Sequence, residues 1–126
     1  PPFSVRRKCP MHAVLGQPFD LTWTVENHTN DYQLLEILVQ SADPSASASS
    51  DPPKLVWGGC RHRSIQLAPH SSMAVTTVVV ALTTGQVPLP MTDIRVERTG
   101  EYILKQSQGA PPASVVFVSP VQIQQP

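Results

Sequence analysis

The sequence predicts an all-β protein, an immunoglobulin-like antiparallel β-sandwich of seven to nine short strands. Fourteen of its 126 residues are proline, about twice the usual share of ~5%. Proline is poorly tolerated inside helices and central strands, so helices should not dominate. Short apolar runs recur between turn signals at intervals of roughly 8–12 residues, the spacing of a sandwich. No stretch carries apolar residues at the helical period. Forty per cent hydrophobic residues over this length suffices for one domain with a real core.

The elements follow in order. In residues 3–8, Phe3 and Val5 can face inward before Arg6, Arg7 and Lys8. This is a short edge strand whose charges deter edge-to-edge pairing. Residues 11–15 extend it or pair with a neighbour. Residues 19–27 form the most regular strand. Phe19, Leu21, Trp23 and Val25 lie on one side, and Asp20, Thr22, Thr24 and Glu26 on the other. Alternate side chains of a strand point to opposite faces, so one face is dry and one wet. The four apolar residues are the predicted core. Burying them is worth roughly 6–12 kcal/mol at about 1.5–3 each, comparable with a net stability of about 5–15 kcal/mol. Gly16 and Pro18 set the strand's start, and residues 27–31 its end.

In residues 34–40, Leu35, Ile37 and Val39 share one face, and Leu34 and Leu38 share the other with Glu36. Residues 41–53 contain no large apolar side chain. They cannot bury enough surface to offset their ordering entropy, which predicts a mobile loop between strands. Residues 54–58 read as a short strand holding Trp57. Gly58 and Gly59 permit a turn or bulge, followed by a basic turn, Arg61-His62-Arg63. Ile65 and Leu67 mark a further short strand, and residues 69–72 a turn. Residues 73–82 are dense in β-branched side chains and apolar on both faces, which suits a central strand or one covered on both sides. Residues 83–85 end it. Val87-Pro88-Leu89-Pro90 leads into residues 92–97, where Ile94 and Val96 alternate with Asp93, Arg95 and Glu97 as a half-buried strand. Residues 102–104 form another strand and 106–112 a loop. Residues 115–121 close the domain, with Val115 and Phe117 opposite Val116 and Val118. The whole of 1–126 reads as one sandwich and, beginning with Pro1, as a fragment of a longer chain.

Several function classes are excluded by what the residues lack. The formal net charge is zero, and the basic clusters have no interleaved aromatics to stack bases, so nucleic acid is not the expected partner. No apolar run reaches the ~18 residues that a membrane-spanning helix needs. His12, His28, His62 and His70 stand outside metal-ligand spacing, so no metal is expected. There is no Gly-x-Ser-x-Gly elbow and no phosphate-cradling Gly-rich loop. The expectation is a non-enzyme with no catalytic residue and no cofactor. Cys9 and Cys60 are too few for a disulfide framework and read as free thiols in a reducing compartment. Asn27-His28-Thr29 is a glycosylation sequon, meaningful only in the secretory lumen.

Charge is segregated. Residues 1–18 carry +3, residues 19–53 carry −6 and residues 54–63 carry +3. Such blocks either form opposed surface patches or pair within the fold. Arg61, His62 and Arg63 follow the Gly-Gly corner, beyond the acidic block. They are the candidate partner-facing residues, a turn presenting positive potential to an acidic protein surface.

A family pattern runs through these features: Phe19-x-Leu21-x-Trp23-x-Val25-x-Asn27, the run from Leu34 to Val39, and Leu55-Val56-Trp57-Gly58-Gly59. Leu67-x-Pro69-x-Ser71 then precedes a hydrophobic strand, and Leu89-Pro90 stands ahead of Ile94-x-Val96. This order resembles the C-terminal immunoglobulin-like domains of large accessory subunits of the TRAPP vesicle-tethering complex. The resemblance covers most of residues 19–121, omits the serine-rich stretch 41–53, and rests on structural motifs alone. It implies a cytoplasmic, non-enzymatic assembly domain acting in Golgi-related traffic. Its implied partners are the other subunits of the complex, with tubulin as a further partner through a link to microtubules and cilium formation. It carries over no catalytic residue. Two alternative classes stand beside it: an extracellular adhesion or receptor module, which would have a Cys9–Cys60 bond and sugar on Asn27, and a carbohydrate-active or hydrolytic enzyme on a β-scaffold, which would need a deep pocket lined by perturbed acids.

Overall fold

The computed structural model describes residues 2–40, 54–58, 61–106 and 115–120. They form eleven strands and no helix: β1 (Phe3–Lys8), β2 (His12–Val14), β3 (Pro18–Asn27), β4 (Gln33–Gln40), β5 (Leu55–Gly58), β6 (His62–Leu67), β7 (Ser72–Ala81), β8 (Gly85–Pro88), β9 (Met91–Val96), β10 (Tyr102–Lys105) and β11 (Val115–Ser119). Among the described residues no helix is long and apolar enough to cross a membrane. The first sheet has the order β1-β3-β7-β5, the second β10-β9-β4-β6 and the third β2-β11-β8.

The all-β sandwich is as expected, but its strand count and pairing differ from the sequence reading. The surplus over seven to nine comes partly from prolines that interrupt the ladders. Pro10 separates β1 from β2, and Leu89-Pro90 separates β8 from β9; a proline offers no N–H to a ladder. After the first break the chain changes sheets. β1 pairs antiparallel with β3, whereas β2 runs parallel to β11, so not every pair is antiparallel. Because β8 leads into β9 and their partners β11 and β10 are likewise consecutive, the third sheet continues the line of the second.

Two core clusters fill the space between the layers. Val25 and Val75 of the first sheet meet Leu35, Ile37, Val39, Ile65, Leu67, Ile94 and Val96 of the second. Ala81 of the first sheet meets Ala13, Val87, Leu89, Val116 and Val118, with Phe19 and Leu55 packed alongside. Leu21, Trp23 and Val25 are buried as expected. Phe19 is only half-buried, because it lies near the strand's start at the margin of the second cluster. Trp23 also ties the layers together: its Nε1 donates to Thr92 Oγ1 of β9 at 3.1 Å inside the core.

β7 is central, between β3 and β5, one of the two arrangements expected, and its outer face is open: Val78 is exposed while Val75, Thr77 and Val79 are buried. Two expectations about exposure are corrected. Asp93, expected on a wet face, is 4% exposed. Its Oδ1 accepts from the Gln106 amide at 2.8 Å, so a backbone donor satisfies the buried carboxylate. Asn27, expected as the first residue of a turn, is fully buried. Its Nδ2 donates to the carbonyls of Asp31, Leu67 and Ala68, and its Oδ1 accepts from the Thr29 amide and hydroxyl. One side chain thus ties the β3–β4 connection to the end of β6. Residues 41–53, expected as a mobile loop, and Cys60 and Gly59 lie outside the described residues.

Candidate interaction surface

The segment singled out in the sequence, Arg61-His62-Arg63, is not a turn. His62 and Arg63 open β6, paired with Leu38 and Ile37 of β4, and Val39 N donates to the Arg61 carbonyl at 2.8 Å. The reason is local. Ile65 and Leu67 reach the core from β6, and the ladder to β4 simply continues past them toward the N-terminal side. In a strand, neighbouring side chains cannot share a face. Arg63 takes the same side as Ile65 and Leu67, and His62 takes the side of Ser64 and Gln66.

The three side chains therefore have different surroundings. Arg61 lies with its guanidinium 5.5 Å from the centroid of the Trp57 ring, a distance at which a cation is attracted to the ring face. Trp57 belongs to β5, the edge of the first sheet, and β6 is the edge of the second. The Arg61–Trp57 contact thus spans the open seam between the two layers. Arg63 is exposed, and among the described residues neither arginine has a carboxylate within ion-pair distance. His62 lies on the other face, its Nε2 3.7 Å from Glu36 Oε2.

Glu36 is the centre of a second constellation that the sequence did not reveal. Arg95 of β9 stands directly across the ladder from it. Arg95 Nε donates to Glu36 Oε2 at 2.6 Å, and the Arg95 Nη2 contacts the same oxygen. This hydrogen bond from Arg95 holds the Glu36 carboxyl below the usual carboxylate range, against the desolvation that would raise it; the positive charges of Arg95 and His62 act in the same direction as the bond. On β10, Lys105 Nζ sits 4.2 Å from the Tyr102 ring centroid. The acidic block is thus partly answered by distant cations, Glu36 by Arg95 and Glu26 by Arg6 at 2.6 Å. The register of the strands decides these pairings, and one sequence does not print it.

At the other end, Glu26, Asn27, His28, His70, Ser71 and Ser72 line an open polar cleft. Ser4 Oγ lies 2.7 Å from His28 Nε2, and Glu26 Oε2 lies 3.6 Å from that same nitrogen. A nucleophile–base–acid relay uses both imidazole nitrogens, the base taking the hydroxyl proton on one while the acid orients it through the other. Here both contacts fall on one nitrogen, and Arg6 holds the glutamate, so the trio is a hydrogen-bonded corner. Among the described residues no group of three His, Cys, Asp or Glu side chains is placed to hold a metal ion. Asn27 Nδ2, the atom a glycan would occupy, spends its protons on buried carbonyls. Cys9 is half-buried; burial pushes its thiol up, partly opposed by the charge of Arg7.

No protein-family model matches the chain, and no curated protein is similar to it in sequence. Among solved structures it is similar to a FixG-related protein from Vibrio parahaemolyticus, at a TM-score of 0.55 and 13% identity, covering 82% of this chain and 90% of that one. That likeness shows the fold alone. It also overlaps part of a β-glucosidase from Listeria innocua solved with glucose, at a TM-score of 0.46 and 11% identity; the overlap takes 95% of this chain but 16% of the enzyme. A likeness at that score carries no inference about activity.

Proposed function

We propose that this domain is a non-enzymatic protein-assembly module of a TRAPP-type vesicle-tethering complex, working in Golgi-related membrane traffic in the cytoplasm. Within that family the sequence pattern suggests the accessory subunit numbered fourteen, a microtubule-associated protein, with tubulin and cilium formation as its further connections. The observation that carries an assembly role is the seam between β5 and β6. Trp57 and Arg61 stack there at an open edge of the sandwich, and Arg61 and Arg63 find no carboxylate among the described residues. Aromatic and arginine side chains are the ones that anchor protein interfaces, and unpaired cations attract an acidic surface from a distance.

The test is co-purification. The domain, tagged and produced in cells, should enrich the other TRAPP subunits over a tagged unrelated sandwich domain, as read by quantitative mass spectrometry. Recovery of none of them would remove the TRAPP assignment. Recovery of secretory-pathway luminal glycoproteins instead, with sugar on Asn27, would favour the extracellular module.

A further inference from the structure

The geometry points to β6 as a docking edge that takes an extended acidic segment of a partner protein as an added β-strand. This rests on the reading of the domain as an assembly module and states how it grips. Among the described residues no strand pairs with the outer edge of β6. The alternation of the antiparallel ladder says which backbone groups lie there. Val39 N donates to Arg61 O, so Arg61, Arg63, Ile65 and Leu67 turn their amides and carbonyls toward β4. On the other side of β4, Glu97 N donates to Leu34 O, which keeps the same alternation. His62, Ser64 and Gln66 therefore direct their N–H and C=O groups outward, a row ready for a further strand.

Sheet edges are usually blunted by charge, shortness or bulges. β1 is guarded by Arg6, Arg7 and Lys8, β10 has four residues and a register shift, and β5 has four residues. β6 presents six residues. Its charged guard is Arg63, with Arg61 just before the strand, so the guards are of one sign. That rejects a basic strand and accepts an acidic one. A second copy of this chain would add the cations of its own edge, Arg61 and Arg63, to the same ladder and bring no carboxylate to answer either pair. The occupant is accordingly a different protein, with carboxylates at alternate positions to meet Arg61 and Arg63. Trp57, held against Arg61 at the seam, lies on the same face as those carboxylates, and the residues between them share the other face with His62, Ser64 and Gln66.

The probe is a fluorescein-labelled octapeptide alternating Glu with Val, titrated against the intact domain by fluorescence anisotropy. It should bind, a Lys/Val peptide of equal length should not, and hydrogen exchange should slow at the amides of His62, Ser64 and Gln66 on binding. Arg61→Glu with Arg63→Glu should weaken binding about tenfold or more. Ser64→Pro removes an outward N–H and leaves the β4 ladder whole, as edge strands permit, and should weaken binding with the Trp fluorescence of the fold retained. The octapeptide N-methylated at alternate amides provides the same test without touching the protein and should lose binding. Undiminished binding of the N-methylated peptide, protection confined to other strands, or self-association of the domain in place of peptide binding would overturn the inference. A domain that still co-purifies with TRAPP subunits while ignoring the peptide would leave the assembly reading standing and this mode of grip refuted.

Discussion

Removing either partner of the bond between Trp23 and Thr92 should destabilise the domain, and removing both should cost less than the two single losses added together. Trp23 is 7% exposed and Thr92 1%, and the indole N–H donates to the Thr92 hydroxyl at 3.1 Å. Every buried side-chain nitrogen and oxygen among the described residues has a partner. Trp23→Ala loses a large ring and leaves a cavity, a cost of about 3–5 kcal/mol. Thr92→Val keeps the shape but strands the indole N–H, and Trp23→Phe keeps most of the ring but removes the donor; each should cost about 1–3 kcal/mol. The pair Trp23→Phe with Thr92→Val leaves neither polar group seeking the other. Its cost should fall short of the sum of the singles by about 1–2 kcal/mol, beyond the ~0.5 kcal/mol scatter of independent sites. Urea unfolding followed by far-ultraviolet circular dichroism measures it, provided the slope with denaturant stays constant. Strict additivity would refute the bond as a tie between the sheets. A cost below ~1 kcal/mol for Trp23→Ala would mean that the faces of β3 are reversed.

Asn27→Asp should cost about 3 kcal/mol or more, since it points carboxylate oxygen at three carbonyls that now receive protons; urea unfolding near neutral pH reads it, and a loss under ~1 kcal/mol would contradict the burial. Glu36 is held below its unfolded value of about 4.5. A lowered folded value means stability present above the unfolded value and lost as pH falls through the folded one, so wild type should exceed Glu36→Gln in stability at pH 6 and the gap should close below about pH 4. A gap that persists unchanged to pH 2 would remove the Arg95 bond as its origin. Cys9, with its thiol pushed up by burial, should react with iodoacetamide at pH 7.5 more slowly in a Cys60→Ser domain than a free cysteine does, because the thiolate is the nucleophile; equal rates would place the thiol in water.

What the sequence disclosed was whatever alternation alone can specify. Leu21, Trp23 and Val25 repeat every second residue beside Thr22, Thr24 and Glu26, and a period of two leaves no other face to bury. The same logic set Leu35, Ile37 and Val39 opposite Leu34 and Leu38, and Val116 with Val118 opposite Val115 and Phe117, while the choice of buried face comes from the structure. It failed where residue type and position disagree. Asp93 breaks the wet-face rule because a backbone N–H 13 residues away satisfies it, and Asn27 breaks the turn rule because three carbonyls converge on its amide. Neither partner can be found from spacing. The candidate surface was half legible: the basic residues were visible, but Arg61-His62-Arg63 read as a turn where the ladder to β4 in fact begins. The Arg61–Trp57 stack and the Glu36–Arg95 pair depend on which strands become neighbours, information carried by the whole chain and by none of these segments alone.

The assembly account rests on Arg61 and Arg63 meeting an acidic partner, and charge reversal addresses it most directly. Both arginines are exposed and neither is paired with a carboxylate among the described residues, so Arg61→Glu with Arg63→Glu should leave the melting temperature within a few degrees. A loss of ~1 kcal/mol would already shift it by about 4–8 °C in a small domain. Co-purification of the folded double variant with TRAPP subunits, measured across a salt series, should fall sharply at low ionic strength, where unscreened charge matters most. A folded double variant that recovers those subunits with unchanged yield and unchanged salt dependence would contradict the account.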